Sequence, residues 1–205
     1  FLSKCRKNID KYLRLLKNYI RGVFMVYTYN ELLKIYKDDY NIKKAVENKE
    51  IYKIEKGIYS NKKIVNPLLV YSKKYPNAII TMDNAFYYYD LTDIIPDKIC
   101  LATSSKRHTI NNVKIIQIYM KDNILNLGKT LVKLNDNNYV YMYDKERLLI
   151  ELIRKRNKIP FDYYKEIISN YRDIAYELDM TKLEEYLDYF NNGNNLFSII
   201  QREVF

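Results

Sequence analysis

The 205-residue chain has no tryptophan and only 4 glycines and 4 prolines. So few glycines and prolines exclude collagen-like repeats and long flexible linkers. The sequence holds no Gly-rich loop to cradle phosphates and no zinc-ligand spacing. Nor does it hold a Gly-Ser element followed by Asp-x-Asp, which a nucleotidyltransferase needs for its metals. The 2 cysteines, Cys5 and Cys100, stand far apart, so no disulfide framework is expected. His108 is the single histidine and has no Cys, His or Asp set beside it, which argues against a metal site. No window approaches the ~18 apolar residues of a membrane span. The charged N-terminal stretch lacks the uninterrupted apolar core of a secretory signal. The expectation is a cytoplasmic protein with no membrane partner, no cofactor, no metal and no catalytic residue.

What is present is charge, unevenly spread. The net charge is +10, and hydrophobic residues make up 48% of the chain, enough for packed cores. The 23 tyrosines, with abundant Asn, Lys and Ile, match AT-rich coding bias, so a single Tyr or Lys means little. Position says more. Residues 1–66 carry 16 Lys/Arg against 7 Asp/Glu, whereas residues 67–205 carry 19 against 18. A basic module joined to a neutral partner is the pattern of a polyanion binder with a second function attached.

Residues 3–21 read as one amphipathic helix. Ile9, Leu13, Leu16 and Ile20 recur at helical steps between Lys4, Arg6, Lys7, Lys11, Arg14 and Lys17, with Ser3 as cap and Gly22 as stop. Thr28 then caps a short helix, with Glu31 completing a capping box, and Leu32, Leu33 and Tyr36 follow. After the turn Lys37-Asp38-Asp39, a helix over 40–48 points Ile42, Ala45 and Val46 inward. Residues 51–59 alternate as strand, turn and strand around Lys56-Gly57. This order predicts an N-terminal winged helix-turn-helix within a DNA-binding domain over residues 1–65.

The region 66–205 predicts a mixed α/β domain ending in a helical bundle, which makes the chain α+β overall. Helices are expected over 67–75 and 83–89, and strands at 78–81, 98–103, 113–119, 130–134 and 139–143. From Asp144 the pattern turns helical: Leu148, Leu149, Leu152 and Ile153, a helix after Pro160, one capped by Thr181, and a last one after Asn192-Gly193-Asn194.

In a major-groove reader, sequence is read by side chains on the inserted helix. The candidates are Tyr40, Asn41, Lys43 and Lys44. Asn41 is placed to pair with adenine, the lysines to reach guanine or phosphate. Lys53 and Lys56 in the wing are candidates for phosphate or minor-groove contact. Lys106 and Arg107 form a basic turn in the neutral half, a possible partner or phosphate contact, or a solvated hairpin turn. Asp83, Glu146 and Glu151 read as helix caps and surface pairs rather than as a nuclease cluster.

The stretch Ile54-Glu55-Lys56-Gly57-Ile58-Tyr59 resembles the wing of the AbiEi-type antitoxins of type IV, abortive-infection toxin–antitoxin systems. The resemblance continues in order through Asp83-Asn84-Ala85-Phe86, Tyr87 to Leu91, Pro96, Lys98-Ile99-Cys100-Leu101, the basic turn 104–107, and Asp144-Lys145-Glu146-Arg147-Leu148-Leu149-Ile150-Glu151-Leu152. It covers roughly 25–200. Asn84 replaces a small hydroxyl residue, Tyr89 a histidine and Asp90 a glycine. The helix 3–21 lies outside the family pattern. The resemblance implies a phage-defence antitoxin that represses its own operon on duplex operator DNA. It also implies a second domain that counters a nucleotidyltransferase-like toxin without requiring a stable complex. Two other classes compete: a protein-binding adaptor built on a winged helix, and a DNA nuclease with an attached reader.

Overall fold

The computed structural model describes residues 25–134 and 138–205; the expected helix 3–21 and Cys5 lie outside them. The chain divides into two compact units, the first running to Pro76 and the second from Asn77, apart from a few residues near the last strand turn.

The first unit begins with β1 (Val26–Thr28), a strand the sequence reading did not foresee. Three residues are too few to display an alternation. Helix α1 (Tyr29–Tyr36) follows with the expected capping box: the Thr28 side chain accepts from Glu31 N, and Glu31 accepts from Thr28 N at 2.7 Å. Lys37, at φ 75°, makes the turn where a glycine would be unstrained. Helix α2 (Asp39–Glu47) is capped by Asp38, whose carboxylate accepts from Asn41 N at 2.7 Å. Strands β2 (Tyr52–Glu55) and β3 (Ile58–Ser60) form a hairpin whose turn needs Gly57 at φ 79°. The register slips between Lys53 and Glu55, and β3 lies between β1 and β2 in a three-stranded antiparallel sheet. Tyr29 N donates to Gly57 O at 2.9 Å and so ties the hairpin turn to the start of α1. Leu32, Ile42 and Ile51, each 1% exposed, with Tyr27, Tyr36, Ala45 and Tyr59, make a small core.

Helix α3 (Pro67–Lys74) packs on β1 and β3, and two ion pairs fasten its end: Lys73–Glu31 at 2.7 Å and Lys74–Glu55 at 2.6 Å. This is why the boundary expected after residue 65 falls after Pro76 instead.

The second unit is built on a mixed five-stranded sheet in the order β6-β5-β4-β8-β7. Its strands are β4 (Ile79–Ile80), β5 (Ile99–Ser104), β6 (Ile115–Met120), β7 (Lys129–Lys133) and β8 (Tyr139–Tyr143). Strand β4 runs antiparallel to β5 and parallel to β8, while β5 and β6 are parallel. The segment carrying Lys106 and Arg107 is therefore a crossover between parallel strands and not a hairpin turn, which can join only antiparallel ones. Helix α4 (Met82–Tyr88) packs on β5, and buried Asn84 accepts from Cys100 N at 2.6 Å. Asn84 thus gives the helix a direct bond to the strand. A one-turn helix, α5 (Asp122–Leu125), was not foreseen in the sequence.

Helix α6 (Lys145–Lys155) is buried nearly all round and packs against α4, α8 (Met180–Leu187) and α9 (Gly193–Glu203). Helix α7 (Phe161–Asp173) follows Pro160 as expected. Asp179, not Thr181, caps α8: its carboxylate accepts from Lys182 N at 3.0 Å.

The interior around α6 is charged. Arg147 and Glu151 are both 0% exposed and meet at 2.8 Å, and Arg154 reaches the same carboxylate oxygen at 2.6 Å. The Arg147 guanidinium lies about 5 Å from the Tyr143 and Phe190 rings, a cation–π setting. Asp144 caps α6 through Arg147 N and also binds Tyr186 Oη at 2.9 Å and Lys182 Nζ at 2.8 Å. Glu146 accepts from Asp179 N at 3.0 Å. Glu146 and Glu151 are thus buried scaffold groups and not the surface pairs expected from sequence, because α6 has no solvent face over most of its length.

Candidate nucleic-acid interface

With Ile42 1% and Ala45 3% exposed, helical geometry turns the residues between them outward on α2. Tyr40 is 72% exposed, and Asn41, Lys43, Lys44 and Glu47 are exposed too. The outward face predicted for the reading helix therefore exists, and its chemistry is graded. Lys43 pairs with Asp39 at 2.8 Å, one helical turn back. That hydrogen bond and its charge hold the Lys43 ammonium above, and the Asp39 carboxyl below, their ordinary values. The pair is open to water and worth little to stability, so Lys43 is free to exchange Asp39 for a phosphate.

Asn41 differs. Its Nδ2 donates to Asp38 Oδ2 at 2.8 Å and to Tyr36 O at 3.2 Å, which uses both amide hydrogens. Bidentate pairing with adenine needs one of those hydrogens. In this arrangement the Asn41 amide braces the turn before α2, and reading a base would require it to give up one of those bonds. Lys44 has no ion-pair partner among the described residues and projects from the same helix.

Lys53 is exposed on β2 and Lys56 is exposed in the Lys56-Gly57 turn. A Cβ added at Gly57 would meet nothing within 4 Å, so its φ and not crowding makes glycine necessary there. The hairpin tip is open to solvent. Lys37 and Lys49, both exposed, flank α2 and were not singled out from sequence. A long side chain at an unfavourable φ gives no pattern to find.

Lys106 and Arg107 lie in the other unit. Lys106 is 84% exposed and pairs with Asp122 at 2.6 Å, with the Ser104 hydroxyl on the same carboxylate. Arg107 N closes a turn on Ser104 O at 3.0 Å. Of the two cations offered as a partner or phosphate contact or as a solvated turn, Lys106 is paired with its own neighbour Asp122.

Asp83, Tyr163 and Cys100 make a second polar cluster. Tyr163 Oη lies 3.4 Å and Cys100 Sγ 3.9 Å from the Asp83 carboxylate. Burial raises the Asp83 carboxyl above its ordinary value and pushes the Cys100 thiol up to about 12, so the thiol stays protonated and unreactive. Among the described residues, no group of three or more His, Cys, Asp or Glu side chains is placed to hold a metal ion. No described helix is long and apolar enough to cross a membrane.

No protein-family model matches the chain, and no curated protein matches it.

Proposed function

We propose that the first unit is a winged helix-turn-helix that binds duplex DNA, and that the protein is an antitoxin and autorepressor of a type IV toxin–antitoxin operon. The observation that carries the DNA reading is the arrangement of residues 26–60. A strand, two short helices and a hairpin close into one small unit, with exposed lysines on both the second helix and the hairpin. A helix for the major groove beside a hairpin for the flanking backbone is how such modules divide the duplex. Lys44, Lys53 and Lys56, which have no ion-pair partner among the described residues, supply charge, and Lys43 joins once Asp39 is displaced. Releasing counterions from phosphates then provides the affinity.

The antitoxin part rests on the resemblance running from the wing through Asp144–Leu152. On this reading the second unit counters a nucleotidyltransferase-like toxin, and the first represses transcription.

Co-expression with the neighbouring toxin, scored separately for growth and for promoter activity, tests the division. The double change Lys43→Ala with Lys44→Ala is expected to relieve repression while cells still survive the toxin at matched protein levels. Loss of both functions together would overturn the division of labour. Unaltered repression would overturn the role of α2.

A further inference from the structure

A pocket of about 270 Å3 lies in the second unit, where the end of α6 meets the start of α9. Its polar lining is Arg154, Arg156, Asn157, Asn192 and Asn195, with no carboxylate. That composition is unusual in a region whose charges otherwise balance. Five donor-bearing side chains face one small space, and two of them are guanidiniums.

Three further observations point the same way. Arg156 Nη1 is buried with no hydrogen-bond partner among the described residues, and a buried donor left unpaired is costly. The N-terminus of the 11-residue α9 opens beside it, and Asn192 at its N-cap makes no side-chain capping bond, so the positive end of the helix is not neutralised by its own cap. Glu151, the carboxylate that pairs with Arg154, is shared with Arg147, which leaves two guanidiniums against one negative charge.

We propose that this pocket binds a phosphate monoester, either the phosphoryl group of a nucleotide or free phosphate. Arg156 and Arg154 supply planar N–H forks that match the oxygens of a phosphoryl group. Asn157 and Asn195 add neutral donors, and the first turn of α9 adds its dipole. The site is independent of the DNA reading, since its residues and its unit are different.

The test is titration of the full-length chain with inorganic phosphate and with a nucleoside 5′-monophosphate, at constant ionic strength, by calorimetry and by 1H–15N NMR. Saturable binding is expected, with shifts at the first amides of α9. Tighter binding of the nucleotide assigns the site to nucleotides, and equal affinity assigns it to free phosphate. Arg156→Gln should weaken binding about tenfold or more. Asn195→Asp, an exposed position where a new carboxylate faces the ligand, should remove binding without unfolding the chain. Lys165→Ala, on the exposed side of α7, should leave binding unchanged. The absence of saturation with either probe overturns the proposal. So does unchanged binding by Asn195→Asp with a wild-type unfolding midpoint, which keeps the test decisive if Arg156→Gln fails to fold.

Discussion

The second helix and the hairpin of the first unit carry their lysines in solvent, whereas helix α6 of the second unit carries an arginine and two glutamates in its interior. Lys44, Lys53 and Lys56 are exposed, and the core cluster of the unit is built of apolar and tyrosine side chains. Arg147, Glu151 and Glu146 are interior groups, and the partly covered Arg154 and Lys182 are tied to them. Counted along the sequence, the two regions differ as basic and neutral. In the fold they differ in what charge does. On α2 and the hairpin of the first unit a lysine can be removed with little loss of structure. Around α6 of the second unit opposite charges are folded against one another, and removing one strands its partner.

Glu151→Ala tests this most severely. It leaves the fully buried Arg147 without its carboxylate, so the second unit should lose about 3–5 kcal/mol of stability. Urea unfolding followed by circular dichroism measures it. A loss no larger than that of a surface substitution would break the contrast.

Gly128→Ala tests the same interior by crowding. A Cβ there would lie 2.3 Å from Arg147 Cβ, and the residue sits at φ 73°. Both the overlap and the backbone strain act against alanine, for an expected loss of about 2–4 kcal/mol. At Gly57, also at positive φ but with open space around it, the same substitution should cost only about 1 kcal/mol. Comparing the two midpoints separates crowding from backbone strain.

How much of this was legible in the sequence follows the same division. The capping box Thr28–Glu31, the inward Ile42 and Ala45, and the Lys56-Gly57 turn are local signals, and each sits where its spacing predicts. The exposed lysines of the first unit were therefore visible as candidates. Asn41 is outward as its spacing predicts, but its bonds to Asp38 and Tyr36 depend on the turn before it and leave no local signal. In the second unit, Glu151 follows Arg147 at a four-residue step, which in most helices is a surface pair. Only the packing of α4, α8 and α9 around α6 buries it. The Arg154–Arg156–Asn157 pocket was missed for a like reason. Half of its lining comes from α9, some forty residues later, and no local pattern joins the two.

Asp83 gives a smaller, pH-dependent effect. Burial raises its carboxyl above the ordinary value, so its charged form is disfavoured in the folded chain. That cost is fully present above the folded value and vanishes below the unfolded one. Asp83→Asn should therefore be slightly more stable than wild type at neutral pH. The gap should close as pH falls through the raised value towards the ordinary aspartate range. Paired thermal melts at neutral and acidic pH measure it, and a gap that widens on acidification would contradict the assignment.

The central claim is that the outward charge of the first unit binds DNA and does not hold the fold. The most direct measurement is the salt dependence of duplex binding by wild type and by Lys44→Ala/Lys53→Ala/Lys56→Ala, with unfolding midpoints alongside. The log–log slope should become shallower by about 0.9 for each phosphate contact removed, while the midpoint stays the same. An unchanged slope and affinity in the triple variant would contradict the account, and so would a fall in affinity that tracks a fall in stability.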